Sequence, residues 1–341
     1  MISLAIETSC DETSVAVLEN DKVISNLISS QISHTAFGGV IPEIASREHL
    51  NKIIEITGLA LKESDKKIND IDLISATYGP GLIGALLVGL NFGKSVAMSL
   101  GIPFVPVNHI HAHLYSNLLS ADKVEFPFIS LIVSGGHTLL VLAEDFFKHK
   151  VLGKTVDDAA GEAFDKVAKL LGLSYPGGPE IEKHSQNGNK HFHKFPLANV
   201  KDNEYDFSFS GIKTSVLYFL KKIRFEDVKN EAMINNICAS FQEAAVCSLF
   251  NKTLSAAEKY NVRNIMVSGG VSANKNLRDK FNNLKENGFR ISFPEKKYST
   301  DNAAMIGLVG FYKYKFSDKK EYFLSDSLLF NAKAKLDYAE F

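Results

Sequence analysis

Residues 2–19, which read ISLAIETSCDETSVAVLE, decide the fold. Two short apolar runs, 2–6 and 14–18, flank a polar loop, and this pattern predicts two strands of a β-hairpin. Residues 129–145, ISLIVSGGHTLLVLAED, repeat the layout about 127 residues later. A repeat of this size predicts two related domains, although hairpins are common enough to recur by chance.

Alternating strand and helix patterns between and after the hairpins predict an α/β fold. No low-complexity linker separates the two halves. We therefore predict an N-terminal lobe at 1–125, with about 305–330 packing back on it, and a C-terminal lobe at 126–304. The polar stretch 184–206 is typical of an irregular surface loop. The predicted helices are 44–63, 82–100, 157–171, 212–222, 233–260 and 301–314, and further strands are predicted at 71–77 and 262–267.

Composition excludes several classes of protein. The chain has 341 residues, a net charge of −1 and three cysteines without a CxxC pair. These values argue against a strongly basic nucleic-acid-binding domain and a disulfide scaffold, and they fit a reducing compartment. The N-terminus lacks a basic segment, which argues against a signal peptide. The longest uncharged run, 73–93, is broken at Tyr78-Gly79-Pro80-Gly81, so we predict a strand, a turn and a helix rather than a membrane span.

Three polar loops, 7–14, 134–138 and 268–274, combine hydroxyl side chains with glycines or acids. Glycine-rich loops let backbone N–H groups approach a phosphate, and a following helix adds partial positive charge. None of these three loops contains GxxxxGK[ST] or GxGxxG, so P-loop and Rossmann sites there lose support. The sequence matches GxGxxG at 79–84, outside the three loops. The alternative is that each loop is only a tight turn.

Three histidines, His109, His111 and His113, follow Asn108. In a helix, His109 and His113 share a face, which is the spacing for two ligands of one metal ion. In a strand, all three would share a face. No HExxH glutamate is present, so a zinc protease is poorly supported. Asp301 is a candidate third ligand, and its alternative role is an N-cap.

Residues 157–166 predict the beginning of a helix with Asp158, Gly161 and Asp165 on one face. Acids in a first helical turn also interact favourably with the helix dipole, which is the simpler account of Asp157 and Asp158. Asp165 lies further along, where its carboxylate suits a pair of ribose hydroxyls.

Nine segments, taken in order, closely resemble the universal tRNA threonylcarbamoyladenosine synthesis family, formerly described as O-sialoglycoprotein endopeptidases. The resemblance extends from residue 1 to about 310. The segments are 6–13, 38–43, Asn108-His109 with His113, 134–138, 157–166, 175–179, 207–214, 268–274 and 300–304.

The resemblance implies an actin/Hsp70/sugar-kinase-like fold, with two duplicated ribonuclease-H-like lobes and a central nucleotide cleft. It implies transfer of the threonylcarbamoyl group from threonylcarbamoyl-AMP to N6 of adenosine 37 in tRNAs that read ANN codons. Two alternatives remain: a small-molecule kinase or ATPase of the same fold, which does not need the metal ligands, and a non-catalytic subunit of the modification complex.

The resemblance also implies roles for individual residues. His109, His113 and Asp301 resemble ligands of one divalent metal per subunit, with Fe²⁺ favoured and Zn²⁺ possible. Asp11 and Glu12 resemble catalytic residues that face the reacting group. The adenylate-binding positions would be Ser134, Gly135, Gly136, His137, Thr138, Asp165, Gly178, Glu182 and Asn274. Ala112 and Ser299 depart from the family's usual Gly and Cys, and Glu182 is longer than the usual Asp.

The implied partners are tRNA, a paralogous inactive-like subunit and a small P-loop ATPase, in the cytoplasm and without a membrane. A stripe of small residues from Gly81 to Ala97 could pack on such a paralogue or within its own lobe.

Overall fold

The computed structural model describes residues 1–31, 39–120, 125–197, 200, 202–223 and 230–336. Gly38, from the segment 38–43, lies outside them. The chain divides into two compact units. Unit 1 consists of Met1–Ala121 together with Thr300–Phe341, and unit 2 consists of Asp122–Ser299.

The α-helices of the described residues number nine and are interspersed with short 3-10 turns. They are α1 Pro42–Glu63, α2 Ile83–Leu100, α3 His109–Tyr115, α4 Ala160–Leu170, α5 Gly177–Ser185, α6 Ser210–Lys222, α7 Glu231–Lys259, α8 Lys275–Asn282 and α9 Ala303–Phe316.

Unit 1 contains a five-stranded mixed sheet in the order β3-β2-β1-β4-β5. The first hairpin pairs antiparallel from Ile2 opposite Glu19 to Glu7 opposite Ser14, and β4 and β5 add in parallel. The strands are β1 Ile2–Glu7, β2 Glu12–Glu19, β3 Lys22–Ser30, β4 Leu73–Gly79 and β5 Phe104–Asn108.

Unit 2 repeats this sheet. Its strands lie in the order β10-β9-β6-β7-β8. Read from the opposite edge, β8-β7-β6-β9-β10 corresponds strand by strand to β3-β2-β1-β4-β5 of unit 1. The second hairpin pairs antiparallel, and β9 and β10 add in parallel. The predicted duplication is therefore confirmed. The strands are β6 Phe128–Val133, β7 Thr138–Asp145, β8 Lys148–Lys154, β9 Asn264–Ser268 and β10 Arg290–Ser292.

The stripe of small residues on α2 packs inside unit 1. A Cβ on Gly89 would lie 2.3 Å from Thr8 Oγ1, and a Cβ on Gly93 would lie 3.2 Å from Ala76 Cβ. Helix α2 is long and apolar enough to cross a membrane by length and composition. It packs on β4 and α1, and buried helices of globular proteins meet the same criteria.

Helix α9 joins residues beyond 300 to the unit 1 sheet. It packs against β1, β2 and β4. Gly310 allows this approach, because a Cβ there would lie 1.9 Å from Ser75 Oγ. The C-terminal segment thereby completes the core of unit 1.

Most predicted helix ends lie within two residues of the observed ones, but two regions differ more. Helix α4 begins at Ala160, not at Asp157, so Asp158 does not share a helix face with Gly161 and Asp165. Asp157 accepts hydrogen bonds from Phe209 N at 2.8 Å and Ser208 Oγ at 2.5 Å, while Asp158 pairs with Lys166 and Lys213. Neither acid therefore belongs to a first helical turn, because backbone and side-chain donors from elsewhere in unit 2 bind them instead.

The second difference is α5, a helix that was not predicted. This helix continues to Ser185, so the irregular stretch predicted to begin at 184 begins later.

Candidate metal centre and nucleotide-binding loops

Helix α3 places two histidines together. Asn108, the last residue of β5, accepts a hydrogen bond from Ile110 N at 2.8 Å and so caps the helix. The helical alternative is therefore the one observed, and His109 and His113 share a face with ring centroids 4.7 Å apart. His111 is not part of this pair, as helical spacing requires.

Asp301 completes a group of three. The alternative prediction, that Asp301 is the N-cap of the last helix, is wrong. Asn302 caps α9 instead, by accepting a hydrogen bond from Met305 N at 3.1 Å. The Asp301 carboxylate instead lies 3.0 Å from His113 Nε2 and 3.6 Å from His109 Nε2. One ligand atom from each residue lies within 4.8 Å of the others.

This donor set fits a divalent transition metal. Imidazole nitrogens and carboxylate oxygens bind such ions at about 2.0–2.2 Å, so neighbouring ligand atoms lie roughly 3–3.5 Å apart. The two distances to Asp301 are close to that range. Three protein ligands also leave coordination positions for a substrate.

Glu7 lies behind the metal centre and was not predicted as a site residue. Its carboxylate is fully buried and accepts hydrogen bonds from Ser9 N and Thr77 Oγ1, both at 2.5 Å. His109 Nδ1 also contacts it, 3.1 Å from Glu7 Oε2. A carboxylate on the far nitrogen of a ligand histidine fixes the orientation of the ring.

The charged groups of this cluster shift one another's pKa values. Burial raises the pKa of Glu7, but the charge and hydrogen bond of His109, with a further hydrogen bond from Ser9, leave that pKa lowered overall. Burial lowers the pKa of His109, but Asp301 and Glu7 raise it to about 9. His109 is therefore protonated at neutral pH when no metal ion is bound.

Glu12 is the first residue of β2, and Asp11 precedes it in the loop that follows Glu7. Burial, followed by the charges of Asp301 and Asp11, raises the pKa of Glu12 to about 10. Glu12 is therefore near enough to Asp301 to respond to its charge. His49, which was not predicted as a site residue, contacts both this loop and strand β2 after it. Its Nε2 lies 3.0 Å from Cys10 O, and its Nδ1 lies 2.8 Å from Thr13 Oγ1.

Two internal hydrogen bonds hold the 134–138 loop of unit 2, and its two glycines are exposed to solvent. Ser134 N donates to His137 O at 2.8 Å, and His137 N donates to Ser134 Oγ at 3.1 Å. Gly135 and Gly136 are exposed, and a Cβ added to either would meet no atom within 4 Å. Helix α4 begins beside them, since Gly161 N donates to Ser134 O at 3.2 Å. Exposed backbone next to a helix N-terminus suits a phosphate.

The 268–274 loop also belongs to unit 2 and ends at Asn274. Asn274 caps α8 through Leu277 N, and its Nδ2 donates to Gln242 Oε1 at 2.7 Å. Gln242 in turn donates to Ser185 Oγ at 2.8 Å. Gln242 was not predicted, because only the fold brings α7 to this loop.

The remaining predicted positions lie on or beside α5. Asp165 accepts a hydrogen bond from buried Gly177 N at 2.7 Å, and half-buried Gly178 is the second residue of the helix. Glu182 accepts a hydrogen bond from Lys275 N at 2.9 Å. Glu182, Gln242 and Lys275 line a cavity of about 410 Å³. Of the predicted site residues, unit 1 brings together the metal group with Asp11 and Glu12, and unit 2 brings together the others.

Comparison with known proteins identifies close relatives. The family model described as tRNA N6-adenosine threonylcarbamoyltransferase (TsaD) matches residues 22–308. A protein of that name from Kosmotoga olearia is 52% identical over 314 residues, which are 92% of this chain and 93% of the relative. A protein of that name from Clostridioides difficile is 50% identical over 317 residues, with 92% and 93% covered.

Solved structures of lower identity show the fold. Full-length HypF in its phosphate- and nucleotide-bound form is 14% identical, with a TM-score of 0.62 over 93% of this chain and 56% of HypF. The activator of 2-hydroxyisocaproyl-CoA dehydratase from Clostridium difficile with bound ADPNP is 15% identical, with a TM-score of 0.52 over 94% and 98% of the two chains. The fold is the actin/Hsp70/sugar-kinase-like one, as the duplicated sheets also indicate.

Proposed function

This chain belongs to the tRNA N6-adenosine threonylcarbamoyltransferase family, and we propose that it transfers a threonylcarbamoyl group to tRNA. The donor is threonylcarbamoyl-AMP, and the acceptor is N6 of adenosine 37 in tRNAs that read ANN codons. The reaction is an acyl transfer in which AMP leaves. The mixed anhydride is already activated, so no covalent intermediate on the protein is required.

The observation that carries the proposal is the meeting of His109, His113 and Asp301 from two distant parts of the sequence. These residues would hold one divalent cation per subunit, Fe²⁺ by family resemblance and Zn²⁺ as the second choice. When bound, the cation supplies Lewis-acid polarisation of substrate oxygens. A kinase of the same fold does not need this set of ligands, and a non-catalytic subunit would have no use for it.

Asp11 and Glu12 have the chemistry to act on the acceptor amine. One of them orients N6 of the adenosine or accepts its proton as the N–C bond forms. Glu12 responds to the charge of Asp301, which raises its pKa. Its protonation is therefore linked to that of the metal ligands, which supports a role near the reacting atoms.

The adenylate half of the donor would bind to the unit 2 loops. Exposed backbone at Gly135 and Gly136, with Ser134, His137 and Thr138, suits the phosphate. Asp165, Gly178, Glu182 and Asn274 are assigned to the nucleoside. The cavity beside Glu182, about 410 Å³, is of a size that accommodates a ligand of this class.

A paralogous subunit and a small P-loop ATPase are the proposed protein partners. Exposed apolar side chains on adjacent helices α1 and α2 support such contacts, since they are the kind of surface that a partner covers. They are Leu50, Ile54, Ile83, Leu87 and Met98, with Ile54 72% exposed. We also assign the protein to the cytoplasm, where its tRNA substrate is found. Its proposed functional lobes are 1–125, with about 305–330 packed on it, and 126–304.

A transfer assay tests the function. The purified chain is incubated with its helper proteins, which are the proposed paralogous subunit and P-loop ATPase, and with threonylcarbamoyl-AMP and unmodified ANN-reading tRNA. The tRNA is then digested, and its nucleosides are analysed by mass spectrometry. We expect threonylcarbamoyladenosine from the wild type, none from His109→Ala, and product from His111→Gln on the same helix. No product with competent helpers would favour the kinase or the non-catalytic subunit. Product from His109→Ala would remove that residue's assigned role.

A further inference from the structure

Two neighbouring stretches of unit 2 carry a local surplus of positive charge. From Lys183 to Lys201 the sequence has four lysines, three histidines and no acidic residue, and no acidic residue occurs from Phe207 to Phe225. The chain as a whole has a net charge of −1. Nothing in the roles assigned above uses these residues.

The fold brings the two stretches together. The loop after α5 is anchored on α7, where His193 N donates to Ser240 Oγ at 3.1 Å. It is anchored on α6 through Phe219, whose ring centroid lies 4.4 Å from that of His193 and 6.1 Å from that of Phe192. The loop is thus held against one end of α6 by a cluster of rings.

Exposed side chains around this cluster form what we call the aromatic–lysine patch. Its members are Lys190, Phe192, Lys194, Tyr218, Lys221 and Lys222. Tyr218 is 58% exposed and Phe192 is 39% exposed, and Lys221 Nζ lies 5.9 Å from the Tyr218 ring centroid. Lys222 follows Tyr218 by four residues and so lies on the same helix face.

The lysines of the patch have no ion-pair partner among the described residues. Such lysines attract phosphates, and exposed aromatic rings stack on unpaired bases. A protein partner is less well matched, because lysine is depleted in the cores of protein–protein interfaces. The combination of rings and unpaired lysines therefore favours RNA.

We infer that the aromatic–lysine patch binds a single-stranded loop of the substrate tRNA, with lysines on phosphates and Tyr218 and Phe192 on bases. This inference rests on the proposed function for the identity of the RNA. Its position supports it, since Lys190 also lines the cavity beside Glu182. RNA held at the patch lies next to the proposed nucleoside-binding residues.

Equilibrium binding of an unmodified ANN-reading tRNA transcript tests the inference. Fluorescence anisotropy gives Kd at several KCl concentrations for the wild type with its helper proteins. Replacing two lysines, Lys221→Gln with Lys222→Gln, should reduce the slope of log K against log salt by about 1.4–1.8. The matched control, Lys285→Gln with Lys296→Gln, removes the same charge from exposed positions elsewhere in unit 2 and should leave the slope unchanged.

The aromatic contribution has its own variant. Tyr218→Ala should weaken binding about fivefold or more, and Tyr218→Phe, which keeps the ring, should restore it. Unchanged Kd and salt slope in both patch variants would overturn the inference. A patch variant that binds tRNA normally but no longer assembles with a helper protein would also overturn it, in favour of a protein contact.

Failure of the proposed function gives a different result. If the wild type binds tRNA through the patch but forms no threonylcarbamoyladenosine, the binding surface is upheld and the reaction is wrong. If the wild type forms product and the patch variants retain its KM for tRNA, the reaction is upheld and the patch is wrong.

Discussion

The Glu7 carboxylate lies 3.1 Å from Nδ1 of His109, the ring nitrogen opposite the one that faces Asp301. Glu7 ends β1 and His109 begins α3 directly after β5, so two strands on either side of β4 position the pair. Ser9 and Thr77 hold the carboxylate in place with two further hydrogen bonds. The candidate ligand His109 is thus oriented by buried groups behind it.

Glu7→Gln should lower metal affinity about 10- to 100-fold, because the amide no longer accepts a charge-assisted hydrogen bond from His109. Competition with a chelator measures the affinity. Asp21→Asn is a suitable control, since Asp21 accepts a hydrogen bond from Tyr312 at an exposed position of the same unit. Equal affinity in Glu7→Gln and the wild type would show that Glu7 only stabilises the fold.

Asp301→Asn should abolish stable metal binding and, with it, transfer activity. A neutral amide is a much weaker ligand, and two histidines alone hold a divalent ion poorly. Elemental analysis after gel filtration should give about one metal per chain for the wild type and for Asp318→Asn, and close to none for Asp301→Asn. Retention of the full metal content in Asp301→Asn would exclude this carboxylate as a ligand.

Metal binding should release protons. The pKa of His109 is raised to about 9 and that of Glu12 to about 10, so both carry a proton at pH 7.5 in the metal-free chain. A cation displaces the proton on His109 and favours ionised Glu12, so we expect about one to two protons released per metal. Affinity should therefore increase as the pH rises towards 9.

Calorimetry in two buffers of different ionisation enthalpy counts these protons. Glu12→Gln should release about one fewer proton than the wild type. Identical heats in both buffers, for the wild type, would contradict the assignment of His109 as a ligand.

Gly161→Ala should impair nucleotide binding while the protein stays folded. A Cβ there would lie 2.7 Å from Ser134 O and 2.8 Å from Gly135 Cα, so the loop must shift at a cost of about 1–3 kcal/mol. Titration with AMP and thermal unfolding measure the two effects. Gly211→Ala is the matched control, because its Cβ meets no atom within 4 Å. Wild-type AMP affinity in Gly161→Ala would separate this loop from the nucleotide site.

The sequence predicts both hairpins and the larger helices because the spacing of apolar residues matches the buried face of a strand or a helix. It places the start of α4 wrongly because Asp157 is satisfied by backbone donors at Phe209 and Ser210, about fifty residues away. The N-cap of α9 is ambiguous from local sequence, since Asp301 and Asn302 are both good caps. The structure separates them, because Asn302 accepts the capping hydrogen bond from Met305 N and Asp301 lies 3.0 Å from His113 Nε2.

The partners of a site are harder to predict than its ligands. Glu7 occurs in a recognisable motif, yet its burial against His109 depends on how β1 and β5 flank β4. Gln242 lies in the middle of a long helix with no local signal, and it matters only because the fold brings Asn274 to it. Both are consequences of tertiary structure.

The return of Thr300–Phe341 to unit 1 has a consequence for biosynthesis. Unit 2 is continuous in sequence, so a ribosome releases all of it before unit 1 is complete. The sheet of unit 1 lacks α9, and the two histidines lack Asp301, until translation passes residue 300. The three candidate ligands can therefore meet only after residue 301 has been translated, so the proposed metal centre cannot form on a nascent chain that is shorter than this.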